Sequence, residues 1–466
     1  MGWNSSYNAG WPVYDTGLHV GFLTLLGLKR RQSQDVFYSR GGIILANVKV
    51  SQTILQELTK EDRAVLDAVY WHRCLDEPLI CQYFYIPANV DMGYAQKRIQ
   101  YLVMNKLLKE AEYGADYPAL FLTTLGVETV KVLGIQGKEL KPVTKSAYDI
   151  TMAPKNIPHQ MALNKFVLEI GAQIGDSIGY RYYDGKFMPP TAESLMPDGV
   201  FEFCDHIVFL EMDMGTERSP HMAKKWNNYR VFLESRSGFY QGKDITMLFI
   251  LENVKILSQR QRTVWSSIGR FLIDKIDGNF EVYADAPGTL QNVLLTKMRG
   301  MPTNLQTGMV HKRLITAHGF SISQALFGEI TSFAFDGYIR KLTPAKKVMV
   351  QDGRPQEFLL DIWMDGRLSV LHKILYYHNI ERRFKTHVAR SVPYLVVVPD
   401  ERWVNRILTL CDAQGTQNVF YTTMDRLGKS EFNEAIFQLD EQGTVYHFSN
   451  MGLKESVYEY RLKEHR

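Results

Sequence analysis

MPDGVFEFCDHIVFLEMDMGTERSPHMAKKWNNY, residues 196–229, decides the fold and the chemistry expected of this chain. The apolar run Ile207, Val208, Phe209, Leu210 reads as a buried strand, and it delivers Glu211 and Asp213 to one side because side chains two apart on a strand share a face. Asp198, set between Pro197 and Gly199, opens a second short strand, VFEF, and a tight turn between the two strands brings it beside Glu211. TERSP then reads as a helix entry, and the helix that follows places Lys224, Lys225 and Tyr229 within about one turn of each other. Acids on strands thus lie beside bases on a helix.

Such a cluster is what a divalent-metal nuclease requires. Hard carboxylate oxygens hold Mg²⁺ or Mn²⁺, the ion activates water and offsets phosphate charge, and a lysine steadies the transition state. Asp198 and Glu211 are the candidate metal ligands; Asp198, Glu211, Asp213, Lys225 and Tyr229 are the candidate catalytic set. The usual signature is PD followed by E-x-K. Here Asp213 stands in the lysine's place, so the cation must come from Lys224 or Lys225 on the helix. The competing reading is that Glu211 and Asp213 pair with those lysines and with Arg218, holding strand to helix without chemistry.

Composition leaves both readings open. The chain has 466 residues, enough for two or three domains, and 45% hydrophobic residues, enough for ordinary packed cores. A net charge of +4 and a pI near 8.6 permit nucleic-acid binding without singling it out. Cys74, Cys81, Cys204 and Cys411 lack CxxC spacing, which points away from a zinc site or a disulfide framework and toward a reducing cytoplasm. LHVGFLTLLGL, near the start, is too short to span a bilayer, which takes about 20 apolar residues.

Residues 1–50 hold two strand-like runs, HVGFLTLLGL and GGIILANVKV, around the basic KRRQSQD, and form an extension with no assigned chemistry. From Thr59 the period becomes helical. Thr59 and Asp62 read as a cap, with Val65, Leu66, Val69 and Tyr70 on the buried face. EPLICQYFYI suggests a second helix, stopped by Pro87. GYAQKRIQYLVMNKLLKE suggests a third, capped by Asn89 or Asp91, with Ala95, Ile99, Leu102, Val103, Leu107 and Leu108 in its buried stripe and Tyr94, Gln96, Lys97, Arg98 and Gln100 exposed. EAEYGADYPALFLTTLGVETV then reads as a hairpin leading to a helix near Thr124. Three helices and a hairpin are the order of a winged helix-turn-helix over 51–140. Its third helix would enter the major groove of double-stranded DNA, where Gln and Arg meet base edges and Lys meets phosphate.

GIQGKELKPVTKSAYDITMAPKNIP is the best linker, placing a boundary near residue 150. Beyond it, HQMALNKFVLEIGAQIG reads as an amphipathic helix carrying Glu169, a possible addition to the acidic cluster. After the opening stretch come the strand ITMLFILEN, the helix SQRQRTVWSSIGRFL, read as a second phosphate-facing surface or a solvated helix face, and the strand FEVYAD. The expected fold is α/β (α+β). A winged helix is followed by two nuclease-like mixed-sheet domains of the PD-(D/E)xK type, at 155–290 and 300–450, the second a degenerate repeat. In that repeat Asp361 of FLLDIW matches Glu211, Lys373 and Tyr377 keep the spacing of Lys225 and Tyr229, Trp363 replaces Asp213, and Asp352 is the candidate for Asp198. With those losses, the second copy is expected not to hold a metal.

The chain resembles the replication-relaxation family of plasmids and other mobile elements, related to relaxases of the mobilisation-C type. The resemblance rests on the LTTLG segment, the HQMALNKF helix, MPDGVFEF and above all FLEMDMGTERSPHMAKKWNNY, and spans roughly 52–257. It implies a restriction-endonuclease-like second domain, with Asp198, Glu211, Asp213, Lys225 and Tyr229 as site positions. It also implies DNA processing or DNA-bound control of replication and transfer on a plasmid, phage or integrative element. Two functions remain open. One is a DNA-binding regulator or initiator with inactive nuclease-like domains and no cofactor; the other is a relaxase or endonuclease that nicks DNA with Mg²⁺ or Mn²⁺. A homodimer on an inverted repeat is the default for a winged helix.

Overall fold

A capping box starts the long helix Lys60–His72 in this computed structural model: the Thr59 side chain accepts from Asp62 N, and Asp62 accepts from Thr59 N. Residues 50–114, 116–134, 146–175, 178–187, 195–215, 219–235, 240–252, 256–276, 279–299, 305–323, 334–341, 356–364, 366–388, 391–401, 403–404, 418–439, 445–447 and 463–464 are described. The strand-like runs of the first fifty residues, TERSP up to Arg218, Asp352 and Cys411 lie outside them. The chain forms two compact units, 1–179 and 180–466.

In the first unit the Lys60–His72 helix leads through strand β1 (Leu75–Asp76) into a helical segment, Glu77–Ile80 and Cys81–Tyr85, that Asp76 caps. The Met92–Met104 helix follows, capped by Asp91, and then the hairpin of β2 (Leu108–Ala111) and β3 (Ala119–Leu122). β1 joins the free edge of β3, giving a three-stranded antiparallel sheet in the order β1-β3-β2. Three helices and a hairpin are present, but the third helix ends at Met104, Lys106 turns the chain at φ 57, and Leu108, expected on the helical stripe, opens β2. The short β1 is an addition. Two residues are too few to carry a visible alternation.

The LTTLG segment has a steric explanation. Thr123 caps the Thr124–Leu133 helix by accepting from Gly126 N at 3.1 Å, and a Cβ on Gly126 would lie 2.1 Å from the Leu107 carbonyl oxygen. Only glycine lets the helix start so close to the hairpin. The Ile157–Ile174 helix, expected to open the next domain, packs on this first core through Ile157, Met161 and Leu168. Its Asn164 Nδ2 donates to the carbonyls of His72 and Cys74 at 3.0 and 2.5 Å.

The second unit contains two sheets. The first has the order β4-β5-β6-β7-β8, formed by Arg181–Asp184, Gly199–Phe203, His206–Asp213, Asp244–Leu251 and Phe280–Asp285. β4, β5 and β6 form an antiparallel meander, and β6, β7 and β8 run parallel, joined by the helices Ser219–Glu234 and Leu257–Phe271. β6 and β7 are buried almost end to end, which accounts for their near-continuous apolar runs. The expected strand pair is therefore a three-stranded meander. RYYD, at the sheet edge with Arg181 exposed, has no clear two-residue period to announce β4.

The second sheet starts with β9 (Phe320–Ser323), β10 (Gly337–Lys341), β11 (Glu357–Ile362), β12 (Tyr394–Val398) and β13 (Val419–Thr423). Its first three strands are antiparallel neighbours and β11, β12 and β13 are parallel, the same order and directions as β4 to β8. Short antiparallel strands at Phe437–Leu439, Val445–His447 and Lys463–Glu464 extend it beyond β13. One hydrophobic core joins the two sheets. At its centre Trp265 stacks on Trp363 at 6.0 Å between ring centroids, and Trp403 meets both edge-on at 5.8 and 5.6 Å. Each such side chain, removed from water, contributes about 1.5–3 kcal/mol. Glu281 of β8 adds a polar tie, accepting at 3.0 Å from Ser369 N in the first turn of the Leu368–Leu375 helix.

Candidate functional site

The turn Cys204–Asp205 joins β5 to β6 with Phe203 opposite His206, Cys204 adopting a left-handed conformation at φ 47. This register pairs Gly199 with Leu210, so the residue before Gly199 lies beside the residue after Leu210. Asp198 N donates to the Leu210 carbonyl at 3.0 Å, and the Asp198 Oδ2 accepts from Met212 N at 2.8 Å. Gly185 holds the loop in place from β4's end. Its N donates to the Asp198 carbonyl at 3.0 Å, and a Cβ there would lie 1.6 Å from the Pro197 carbonyl oxygen.

Glu211 is 1% exposed, and both of its oxygens are engaged by the Ser219–Glu234 helix. Lys225 Nζ donates to Oε2 at 2.8 Å, and the Tyr229 hydroxyl donates to Oε1 at 2.5 Å. Burial pushes the Glu211 carboxyl up to about 7, with Asp198 adding to the rise and Lys225 and Tyr229 opposing it. Lys224 faces solvent, so of the two lysines it is Lys225 that reaches the acid.

Asp213, two residues along β6, is fully buried and meets a group that the sequence reading did not place there. Arg260 Nε donates to Oδ2 at 2.5 Å and Nη2 to Oδ1 at 3.0 Å, while Gly215 N donates to Oδ1 at 2.9 Å. Arg260 belongs to SQRQR, expected to face phosphate or solvent. The available signal was its position four residues before Val264, at the edge of the buried stripe Gln261, Val264, Trp265 and Ile268. Glu169 lies in the first unit, where its charge adds to the burial that raises Tyr83 to about 12.

The second sheet repeats the arrangement with a different acid than expected. Asp336, immediately before Gly337, takes the place of Asp198; Asp352 lies outside the described residues. Gly337 pairs with Leu360 as Gly199 pairs with Leu210, and Asp336 Oδ2 accepts from Ile362 N at 2.7 Å as Asp198 accepts from Met212 N at 2.8 Å. Lys373 Nζ lies 2.5 Å from Asp361 Oδ2, reproducing the Lys225–Glu211 pair. The tyrosine differs. Tyr377 donates to the Val392 carbonyl, and Tyr394 of β12, stacked on Tyr377, donates to Asp361 instead. Aspartate is one methylene shorter than glutamate, and its carboxylate is met by the hydroxyl on the neighbouring strand. Arg367 bonds Asp336 and reaches Asp361 at 3.5 Å, so two acids here meet two bases. Burial raises Asp336, but Arg367 and Lys373 outweigh it and hold that carboxyl below its ordinary value. Burial raises Asp361 against the pull of Lys373.

Both oxygens of Glu211 are already engaged, which sets what a divalent ion would meet at this site. Among the described residues no group of three His, Cys, Asp or Glu side chains is arranged to hold a metal, and an ion shared by Asp198 and Glu211 would have to displace Lys225 or Tyr229 from Glu211. What the arrangement does as it stands is neutralise acids on the strands with bases from the adjoining helices.

The proposed DNA-facing residues lie on the Met92–Met104 helix. Tyr94, Gln96, Lys97 and Gln100 are exposed, and Gln96 Nε2 donates to Glu77 at 2.7 Å. Arg98 turns inward: its Nη2 and Nε engage the buried Asp62, and Nη2 also donates to the Glu57 carbonyl at 3.0 Å. Its position, three after Ala95 and four before Leu102, marks it as the edge of the buried stripe.

Fold and site together define a mixed α/β protein with a helical unit ahead of two sheets that carry matching acid–lysine pairs. Residues 66–246 match the model of the replication-relaxation family, as the LTTLG and FLEMDMGT segments led us to expect. No curated protein and no solved structure matches the chain. Among the described residues no helix is long and apolar enough to cross a membrane.

Proposed function

We propose that the chain is a double-stranded-DNA-binding protein of a mobile genetic element. It acts in replication, relaxation or transcriptional control through a winged helix at 51–140, with the two nuclease-like domains serving as scaffolds. The observation that carries this reading is the exposed row Tyr94, Gln96, Lys97 and Gln100 on the helix that precedes the hairpin, the position of a recognition helix. The family's description, replication-relaxation, agrees with it. The scaffold role draws on Glu211 and Asp213 being closed by Lys225, Tyr229 and Arg260.

A duplex selected from a random pool provides the test. Gln100→Ala should lower affinity for the selected duplex by about 1–3 kcal/mol and relax its sequence preference, whereas Lys97→Ala should weaken all duplexes alike. Anisotropy at fixed salt reads both. Equal binding by wild type and both variants would remove this helix from the interface. A homodimer would show as two half-sites in the selected sequence.

A second reading, a nickase dependent on Mg²⁺ or Mn²⁺, is favoured by one observation: Asp198 and Glu211 are close enough for one charge to raise the other's proton affinity. It predicts nicking of supercoiled plasmid only with divalent metal, abolished by Asp198→Ala or Glu211→Ala with DNA binding intact. Binding without nicking in either metal is the outcome expected here.

A further inference from the structure

The Tyr377–Val388 helix, YHNIERRFKTHV, carries its exposed charge on one side. Tyr377, Ile380, Glu381 and Phe384 are buried, and His378, Arg382, Arg383, Lys385, Thr386 and His387 are exposed. Its single acid, Glu381, is turned under. Glu381 Oε1 accepts from Asn418 Nδ2 at 2.9 Å and from Ser391, with Lys385 Nζ at 3.5 Å. Every ionisable residue on the solvent face is therefore basic.

At about 100° per residue, His378, Arg382 and Lys385 share one line along the helix, and Arg383 and His387 form a second at the far side of the exposed arc, with Asn379 and Thr386 between them. Residues one turn apart advance about 5.4 Å, against about 3.4 Å of axis per phosphate on one DNA strand, so each line can reach successive or alternate phosphates. We infer that this helix face is a second DNA contact, one that grips the phosphate backbone without reading sequence. The inference rests on the reading that the protein binds DNA, and it assigns to the second sheet's domain a role in holding the duplex.

The full chain carrying Arg382→Gln, Arg383→Gln and Lys385→Gln together is the test, with a charge-retaining partner carrying Arg382→Lys and Arg383→Lys. Affinity for a random-sequence duplex is measured across salt. Each lost phosphate contact should reduce the slope of log K against log salt by about 0.9. Between about 50 and 200 mM salt, the wild type should therefore lose roughly 40-fold more affinity than the glutamine variant. The lysine variant should keep the wild-type slope, and melts run beside the titrations confirm that each protein is folded at the titration temperature, because Lys385→Gln also removes the cation 3.5 Å from Glu381. If the wild type binds DNA and the glutamine variant has the same slope, the inference fails while the DNA-binding reading stands. A wild type that binds no duplex overturns both. An unchanged DNA slope with loss of binding to poly-glutamate would assign the face to an acidic protein partner and overturn the inference.

Discussion

Lys225→Met should destabilise the second unit by about 1–2 kcal/mol near pH 8, because Glu211, left buried without its cation, must take up a proton there. The pair is unequal in exposure, Glu211 being almost fully enclosed and Lys225 about one-fifth exposed, so the loss falls on an acid that water cannot reach. The effect should depend on pH in a definite direction. The folded-state value of Glu211 lies above its ordinary 4.5, at about 7, so the folded protein binds a proton that the unfolded chain has released within that window. Stability from this group is full below the unfolded value and is lost as pH rises through the folded one. Removing Lys225 raises the folded value further and extends the loss to higher pH, so wild type and variant should differ least near pH 5. Denaturant melts at several pH values check this. A Glu211→Gln, Lys225→Met double variant should recover much of the lost stability. A Lys225→Met protein as stable as wild type near pH 8 would contradict the pairing.

Arg98→Met should cost the first unit about 3–5 kcal/mol. Asp62 is fully buried and accepts from Arg98, from the Tyr85 hydroxyl at 2.7 Å and from Thr59 N at 2.8 Å, and the neutral donors that remain would not balance its charge. Arg98→Lys keeps the charge but loses the multiple contacts of the guanidinium, so an intermediate cost is expected. The consequence for function is specific. Any fall in DNA affinity caused by Arg98→Met should track the fraction of folded protein, unlike that of Gln100→Ala, which should appear at full folding. Thermal melts run beside the binding titrations separate the two.

Local periodicity carried much of this protein into view. The caps at Thr59 and Asp91, the stripe Ala95, Ile99 and Leu102, and the parity that puts Glu211 and Asp213 on one side of a strand depend on neighbours within a few residues. The repeat was legible for the same reason: Asp361, Lys373 and Tyr377 sit at near-constant separations within one strand–helix unit. Ion pairing between elements was not. Which cation meets Asp213, that Arg98 turns inward to Asp62, that Asp336 takes the Asp198 position, and that Tyr394 meets Asp361 were decided by strand register and helix placement across 47, 36, 25 and 33 residues of chain. A charged side chain reads the same in sequence whether it faces water or a buried carboxylate. Only packing removes the water, and it is the removal of water that turns an ordinary arginine or lysine into the partner its acid requires.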